Sequence, residues 1–423
     1  MRQRALSVLA VLLIGSGEIA LAQSVDNPRV VTVSPDGSGA DYSSLAGALG
    51  GVSSLSSSNR YVILVYPGIY TGSNNVDLWW PSYVSLRGID RASTIIKGST
   101  SEPYDRPLIS FMGADWVEVS NITLDGSAQM AQWDLSTISG AVWVGDGSIR
   151  FNNVTISNGP ATYAPGFALS SIGSEGGQIT VENSQTGPIV DAGGDWKISN
   201  TTIVGTSSIG PDYVYGYARY WTTGKASIIA STIVAEASGS TVGDVAAIYV
   251  DGTLASPGLT ISGSHLIARN LVSSPSAITA AFYEQAGETN GSDVYIQGSI
   301  LEYESGTGVG GGQFYGLYVP EDTDTPLSVR ASSIRGIGSG GTRADVYNDS
   351  DNQIALTAVE HSTFTGDTPT FSPDQRQGQF SSDLIVPLSS PTLGPLNGQV
   401  WIDTVNNKLC YRSGGSTRCV TGS

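Results

Sequence analysis

Residues 117–126 read VEVSNITLDG, and closely similar stretches follow as IRFNNVTISNG at 149–159 and WKISNTTIVG at 196–205. Each has two short β-rich runs separated by a turn that contains Asn, Ser or Gly. Other stretches of this type begin at Ile179, Ser227, Leu259, Val294, Leu327 and Ile354. Seven of the eight steps between successive starts span 27 to 35 residues, and one spans 17. A recurrence of about 30 residues is the signature of a repeat protein.

A further short strand lies between these stretches, as AVWV at 141–144, AAIYV at 246–250 and YGLYV at 315–319. Each repeat thus offers two or three short strands, which are too small to bury their own apolar face. Stacking repeats about 4.8 Å apart pairs each strand with its equivalents and closes a continuous core. The sequence therefore predicts an all-β fold, a right-handed parallel β-helix. A flat β-sandwich is the alternative, and the regular recurrence argues against it.

The two ends differ from the repeats. Residues 42–52, YSSLAGALGGV, have a helical apolar pattern and predict a helix that caps the open end of the solenoid. Near the C-terminus, strand-like runs with Asn-Asn and Gly-Gly turns predict a small β-meander. The expected organisation is a signal peptide at 1–22, the β-helix at 23–386, a linker at 387–397 and a small β tail at 398–423.

The cysteines Cys410 and Cys419 lie nine residues apart across a predicted hairpin in this tail. In an oxidising compartment such a pair forms a disulfide, worth about 2–3 kcal/mol for a loop this short. A metal pair or a redox couple is the alternative. A metal site needs more ligands and no histidine is nearby, so we expect a disulfide and no metal.

The N-terminus and the charge balance bear on location and partners. Arg2 and Arg4, an apolar run at 6–14 and Ala20-Leu21-Ala22 form a secretory signal, which predicts a secreted, periplasmic or cell-surface protein. No later segment reaches 18 apolar residues, so no membrane span is expected after signal removal. Because the net charge is −17, phosphate backbones and anionic lipids would be repelled, which disfavours nucleic acid and membrane-surface partners.

Four early segments read VVTVSPDGSG, YSSLAGAL, RYVILVYPGIY and YVSLRGIDRASTIIKG, between Val30 and Gly98. This stretch resembles the opening of the pectin methylesterase family, within the pectin lyase-like parallel β-helices. It covers the cap and the first coils. The resemblance implies the same β-helical fold and, if the catalytic segments were present, an esterase acting on a polysaccharide.

The resemblance also implies where catalytic residues would lie. Asp191 matches the nucleophilic Asp of the family with a one-residue slip, and Arg219 is the nearest counterpart of its later Arg. Gly140 stands where the family has an oxyanion-stabilising Gln, and Pro160 where it has the acid/base Asp. Ester hydrolysis of this type needs the nucleophile, the proton donor and the oxyanion donors together. We therefore expect the catalytic motifs not to be retained.

Two other enzyme classes occur on this type of fold. A lyase would need a base and usually carboxylates that bind Ca²⁺, for which Asp191, Asp195 and Glu182 lie near each other in sequence. No cofactor is expected otherwise. A glycoside hydrolase would need clustered carboxylates, and Asp244 and Asp251 on adjoining runs form no recognisable motif.

A run of aromatic residues follows Pro211 and is the most unusual local feature. Aromatic faces pack on sugar rings, so an exposed aromatic loop beside the helix would be a glycan-binding site. Alternating tyrosines in YVYGY instead fit a strand packed on the body of the protein. The candidate binding residues are Trp133, Trp143, Tyr213, Tyr215, Tyr217, Tyr220 and Trp221.

These features favour an exported extracellular or cell-surface β-helix without catalysis and with a structural or glycan-binding role, whose partner would be a polysaccharide. The tail resembles C-terminal segments of bacterial surface and phage-fibre proteins. The alternative is a polysaccharide-active enzyme with a divergent site. An enzyme should carry two carboxylates within about 5–10 Å on one face, whereas a binding protein should show aromatic or small polar residues there.

Overall fold

The fold is described from a computed structural model. The described residues are 28–98, 107–127, 140–158, 167–171, 177–207, 213–220, 224–238, 243–251, 258–271, 277–285, 293–306, 312–320, 327–338, 341–348, 355–357, 360–361, 400–403, 408–413 and 416–421. The predicted signal peptide and linker lie outside them.

Within the described residues, strands of successive repeats stack into three parallel sheets. The 12-stranded sheet contains β1 (Arg29–Val33), β2 (Tyr61–Val65), β5 (Val84–Gly88), β8 (Val117–Ser120), β11 (Ser148–Asn152), β14 (Gln178–Glu182), β17 (Asp195–Ser199), β20 (Ala226–Ile229), β23 (Leu259–Ser262), β26 (Val294–Gln297), β29 (Leu327–Arg330) and β32 (Ala355–Thr357). The 11-stranded sheet contains β3 (Gly68–Tyr70), β6 (Thr94–Lys97), β9 (Thr123–Gly126), β12 (Thr155–Asn158), β15 (Gln185–Thr186), β18 (Thr202–Ser207), β21 (Thr232–Ala237), β24 (His265–Asn270), β27 (Ile300–Ser305), β30 (Ser333–Ile337) and β33 (Glu360–His361).

The 10-stranded sheet completes the coil. It contains β4 (Leu78–Trp79), β7 (Ile109–Phe111), β10 (Gly140–Val144), β13 (Phe167–Ser171), β16 (Ile189–Asp191), β19 (Tyr213–Arg219), β22 (Asp244–Asp251), β25 (Ile278–Gln285), β28 (Gln313–Val319) and β31 (Thr342–Asn348). Each coil visits the 12-, 11- and 10-stranded sheets in that order, so the protein is an all-β parallel solenoid. Its right-handed sense stays a prediction, based on the strong bias of parallel crossovers.

The core fills the inside of the solenoid because alternate residues of each strand point inward. In the 12-stranded sheet, Ile63 pairs with Leu86, and Val119 pairs with Phe151 one coil further on. All four side chains are fully buried. Burying each one stabilises the fold by about 1.5–3 kcal/mol relative to exposure.

The bend between the 12- and 11-stranded sheets uses a left-handed residue. Asn121, Asn153, Asn183 and Asn200 have φ values of 54°, 54°, 51° and 48° there. Asn tolerates this conformation because its short polar side chain bonds to nearby backbone. The side chains also connect coils, since Nδ2 of Asn153 donates to Oδ1 of Asn121 at 2.8 Å. Asparagine thus occupies the turn between the two β-rich runs in the left-handed conformation that the turn requires.

A ladder of serines follows the same bend inside the solenoid. Each hydroxyl accepts a hydrogen bond from a backbone N–H one coil earlier, and each of these bonds is 3.2 Å long. The hydroxyls therefore satisfy buried backbone donors that the sheets leave unpaired. The serines are Ser184, Ser231, Ser264, Ser299 and Ser332.

A helix lies within the stretch for which one was predicted. It is α1 (Leu45–Gly51), and it begins where the side chain of Ser44 accepts the N–H of Gly47 at 3.2 Å. Leu45 and Ala48 are fully buried in the core. The helix is shorter than the predicted 42–52, because Ser44 ends the extended backbone before it.

In the tail, β34 (Val400–Asp403), β35 (Lys408–Ser413) and β36 (Ser416–Thr421) pair antiparallel. Cys410 and Cys419 lie opposite each other in β35 and β36 and form the predicted disulfide. A disulfide at directly opposed positions locks the register of this hairpin.

The turn after β1 contains a carboxylate held by hydroxyl donors. Asp36 accepts hydrogen bonds from the Ser34 hydroxyl at 2.5 Å, and from the backbone N–H and hydroxyl of Ser38 at 3.0 and 2.8 Å. These donors, led by Ser34, lower the pKa of Asp36 to about 2. Because the folded pKa lies below the ordinary 3.8, ionised Asp36 favours the fold above pH 3.8, and this contribution is lost as pH falls through about 2.

We expect Ser34→Ala to raise the pKa of Asp36 toward 3.8, because the largest of these contributions is removed. An NMR titration of the side-chain carboxyl carbons measures the shift. Asp41 is the internal control, since its pKa is lowered by Thr32 and should not move. A pKa of Asp36 that stays near 2 in the variant would contradict the geometry of this turn.

Candidate functional site

The 10-stranded sheet has two faces with different roles. Ile189, Tyr217, Ile248 and Phe282 pair in register and belong to the apolar core shared with the other two sheets. Among the described residues, a second apolar cluster draws its members from the 10-stranded sheet and from residues that follow its strands. Since none of these described members comes from the other two sheets, the cluster lies on the outer face.

One outward residue from each strand lies in register along this face. We call these ten residues the outer row, and consecutive members are Cα partners in neighbouring strands. Aromatic side chains lie at both ends of the row, and small side chains lie in its middle. Its members are Trp79, Ser110, Trp143, Ser170, Val190, Ala218, Tyr249, Tyr283, Tyr318 and Tyr347.

Tyrosines occupy the C-terminal half of the face as a continuous set of ring contacts. Successive centroids are 4.2 Å apart for Tyr215 and Tyr249, 5.3 Å for Tyr249 and Tyr283, 5.0 Å for Tyr283 and Tyr318, and 4.8 Å for Tyr318 and Tyr347. Such contacts contribute about 0.5–1.5 kcal/mol each beyond burial. We call the set the tyrosine cluster: Tyr213, Tyr215, Tyr220, Tyr249, Tyr283, Tyr315, Tyr318 and Tyr347.

Exposure differs along the face. Tyr213 stacks on Tyr215 with centroids 5.9 Å apart, yet 44% of Tyr213 is exposed. Trp79, in the first strand of the sheet, is 67% exposed, whereas Trp143 is partly buried. The face therefore presents aromatic rings to solvent at two separate positions, Trp79 and Tyr213.

Three neighbouring members of the outer row carry polar atoms without partners among the described residues. They are Oγ of Ser110, Nε1 of Trp143 and Oγ of Ser170. Leaving such a buried group unpaired costs about 1–3 kcal/mol.

The acids Asp244 and Asp251 lie at opposite ends of β22 and face outward. Asp244 accepts the backbone N–H of Ile278 at 2.9 Å and a hydrogen bond from the Tyr283 hydroxyl. Burial raises the pKa of Asp244. Seven residues of strand separate the two acids by about 23 Å. This is too far for the paired carboxylates of a glycoside hydrolase.

Asp191 lies on the inner face of the same sheet. Its carboxylate accepts hydrogen bonds from Arg219 Nη1 at 2.6 Å, from the Tyr217 hydroxyl at 2.6 Å and from the N–H of Gly193 at 3.2 Å. Arg219 also donates to the carbonyl of Gly224. Asp191 is 0% exposed and Arg219 is 1% exposed, so the pair is sealed inside the solenoid.

Burial raises the pKa of Asp191, and the charge of Arg219 and the Tyr217 hydroxyl oppose that shift. For Arg219, burial lowers the pKa, and Asp191, Tyr217 and Asp195 together raise it by more, so that the net pKa is raised. The Arg219 guanidinium is therefore charged, and it forms an ion pair with the buried Asp191 carboxyl.

The predicted site residues fall into three groups. Trp133 and Trp221 lie outside the described residues. Tyr213, Tyr215, Tyr220 and Trp143 lie on the outer face, and all but Tyr213 are at least partly buried there. Tyr217 points into the core.

The acids suggested for a Ca²⁺ site do not converge. Glu182 accepts from Arg150 on the outer face of the 12-stranded sheet, Asp195 accepts the N–H of Lys225, and Asp191 is in the interior. Among the described residues, no three His, Cys, Asp or Glu side chains form a group suited to a metal ion.

Sequence reasoning missed most of the tyrosine cluster. The signal was present, because AAIYV, AAFYE and YGLYV repeat one tyrosine at an equivalent position of the strand. Only the register between coils shows that these tyrosines meet. The missed residues are Tyr249, Tyr283, Tyr315, Tyr318 and Tyr347.

The three stacked sheets define the protein as a parallel β-helix, the fold of the pectin lyase-like proteins. No protein-family model and no curated protein sequence matches the chain. Solved structures similar to it include pectin methylesterase PemA from Erwinia chrysanthemi, with 13% identity, TM-score 0.37 and coverage of 81% of this chain and 92% of that one.

Two further similar structures are named for other roles. The mannuronan C-5 epimerase AlgE4 A-module from Azotobacter vinelandii has 12% identity and TM-score 0.38, covering 77% of this chain and 92% of that one. PfbA, a surface adhesin of Streptococcus pneumoniae, has 10% identity and TM-score 0.27, covering 85% and 91%. Each is a protein that this chain is similar to in fold.

Proposed function

We propose that this protein is an extracellular or cell-surface β-helix that binds a saccharide on the outer face of its 10-stranded sheet without catalysing a reaction there. The observation that carries the proposal is the pair of exposed aromatic side chains on this face, Trp79 and Tyr213, which are 67% and 44% exposed. Sugars present apolar ring faces that pack on exposed aromatic rings.

The positions of the acids support a role without catalysis. A carboxylate nucleophile must touch its substrate, but Asp191 is fully buried and paired with Arg219. The outward acids Asp244 and Asp251 are about 23 Å apart along the strand. We propose that Asp191 and Arg219 stabilise the interior of the solenoid.

We also propose where the protein is located and how the N-terminal end of the solenoid is covered. The signal-like residues 1–22 and the disulfide of Cys410 and Cys419 support export to an oxidising compartment. No helix among the described residues is long and apolar enough to cross a membrane. We also propose that α1, which buries Leu45 beside β1, covers the apolar N-terminal end of the coil.

We expect Tyr213→Ala and Trp79→Ala each to weaken saccharide binding about ten-fold, the usual cost of removing an aromatic anchor. Isothermal titration of residues 23–423 into pectins, alginate, glucans and mannans measures binding, and product analysis of the same mixtures measures turnover.

Residues for matched controls lie on the side of the solenoid that the 12-stranded sheet forms. Tyr295→Ala removes a tyrosine that is 49% exposed, and Trp116→Ala removes a tryptophan that is 57% exposed. Both should leave binding unchanged. Equal losses in the control variants would refute the outer face as the site, and steady product release would instead establish a polysaccharide-active enzyme.

A further inference from the structure

The first strand of each parallel sheet lies at the N-terminal end of the solenoid. Among the described residues these strands are β1, β3 and β4, which contain five, three and two residues. An uncovered strand edge can pair with a strand of another chain, and very short edge strands resist such pairing. Of the three, β1 is therefore the strand whose edge most needs protection.

Alternate residues of β1 turn their backbone groups away from β2. The N–H of Arg29 and the C=O of Val33 form hydrogen bonds with the coil that contains β2. By alternation, Val30 and Thr32 direct their N–H and C=O groups to the free edge. Pro28 precedes them on the same edge and has no N–H to offer.

After β1 the chain folds back and covers part of this edge. The Asp41 carboxylate accepts the N–H and the hydroxyl of Thr32, both at 2.8 Å. The N–H of Tyr42 donates to the Thr32 carbonyl at 3.1 Å, and the Tyr42 carbonyl accepts the N–H of Ser34 at 3.0 Å. We call residues 36–42 the edge strap, because they occupy the donors and acceptors of this edge from Thr32 onward.

Two carboxylates hold the edge strap in place. Asp36 accepts hydrogen bonds from the Ser34 hydroxyl and from the N–H and hydroxyl of Ser38, which fixes the turn that leads back to the edge. Asp41 donates its own N–H to the Thr32 hydroxyl at 2.9 Å, in addition to the bonds that its carboxylate accepts. The side chains of the strap, and not only its backbone, therefore keep it on β1.

The part of the edge that stays open is short. Among the described residues, no partner meets the N–H or C=O of Val30, and 57% of Val30 is exposed. In an antiparallel pair with a second copy of the chain, Val30 would lie opposite itself, and the N–H of Thr32 would meet the carbonyl of Pro28. Such a pair is symmetric and closes a dimer. It requires that Thr32 be released from Asp41.

We infer that the edge strap prevents two copies of this protein from pairing through β1, and that Asp41 is the residue that closes the edge. The strap occupies the Thr32 N–H, which a second copy would need. It shares no residue with the outer face of the 10-stranded sheet, so its role can be tested independently of saccharide binding.

Asp36→Ala with Asp41→Ala, in residues 23–423, releases the strap. We expect this strap variant to dimerise with a dissociation constant about ten-fold or more below that of the parent, since each copy gains the Thr32 donor. Sedimentation velocity over a range of protein concentrations measures the constant, and circular dichroism checks folding. Asp41→Ala alone keeps the turn at Asp36 and should change the constant in the same direction.

Asp90→Ala with Asp125→Ala is the matched control. These carboxylates also hold turns, since Asp90 accepts from the Ser93 hydroxyl at 2.8 Å and Asp125 from the N–H of Ser127 at 3.0 Å. The control changes the net charge equally and leaves the edge of β1 covered, so it should sediment as the parent does. Equal dimerisation of the control and the strap variant would assign association to lost charge and overturn the role of the strap.

Two substitutions at Val30 locate the contact in the strap variant. Val30→Lys should abolish the dimer, because like charges would then face each other across the pair. Val30→Cys supplies a free thiol, since Cys410 and Cys419 are joined in a disulfide. A short bis-maleimide should link two copies through this thiol faster than through Tyr295→Cys, at a position that is 49% exposed. A strap variant that stays monomeric, or a dimer that is insensitive to Val30→Lys, would overturn the inference.

Discussion

Arg219→Leu is expected to lower the free energy of unfolding by about 3–5 kcal/mol, which is the cost of leaving a buried charge without its partner. The Asp191 carboxylate is 0% exposed and accepts its ion-pair hydrogen bond from Arg219 at 2.6 Å. In the variant, Asp191 must either stay ionised in an apolar interior or take up a proton. Urea unfolding followed by tyrosine and tryptophan fluorescence measures the loss.

The loss of stability in the Arg219→Leu variant should grow as the pH rises. Burial already raises the pKa of Asp191, and removing Arg219 raises it further because the opposing positive charge is lost. A folded pKa above the unfolded value gives stability that is full below the unfolded pKa and is lost as pH rises through the folded pKa. The Arg219→Leu variant should therefore approach the parent below pH 3.8 and fall away from it at neutral pH.

A double variant and a surface control complete the experiment. Asp191→Leu with Arg219→Leu should recover most of the loss, because an apolar pair replaces a desolvated ion pair at little or no cost. Arg150→Leu removes a surface pair whose arginine is 48% exposed, and should cost less than about 1 kcal/mol. An Arg219→Leu protein as stable as the parent would show that the two side chains do not pair in the interior.

Phe282→Ala is expected to lower the free energy of unfolding by about 3–5 kcal/mol through lost apolar contact and the cavity left behind. Phe282 is fully buried and stacks between Ile248 and Leu317 of the neighbouring coils. The midpoint and slope of urea unfolding measure this effect.

Tyr295→Ala is the matched control for this cavity. Tyr295 is 49% exposed on the outer face of the 12-stranded sheet, so its removal should change stability by about 0.5 kcal/mol or less. Equal destabilisation by Phe282→Ala and Tyr295→Ala would mean that Phe282 does not point into the core, and that the register of β25 is wrong.

The repeat architecture was predictable because its causes are local. The stretch predicted to begin at Val117 begins β8 at that residue, and the stretch at Leu259 begins β23. Alternating apolar residues mark the strands, and asparagine marks the left-handed bend at Asn121. These signals depend only on residues that are neighbours in sequence, so they can be recognised in a single sequence.

The candidate site was predictable only in part. Tyr213 and Tyr215 were identified from their unusual local density, and they lie on the outer face. Their partners Tyr249 and Tyr283 are 34 and 68 residues after Tyr215, and each is a single tyrosine in an ordinary strand. They join the cluster because each repeat returns to the same register, which depends on the lengths of the loops between strands.

The sequence alone determined that this chain forms a parallel solenoid with a disulfide in its tail, whereas tertiary structure decided which face each tyrosine occupies. Strict alternation would place Tyr215 and Tyr217 on the same side of β19. The strand instead turns at Gly216, where a Cβ would lie 2.5 Å from Cγ2 of Ile233, and Tyr217 enters the core. A shift of one residue exchanges the faces of a strand, and only packing against the next sheet sets that shift.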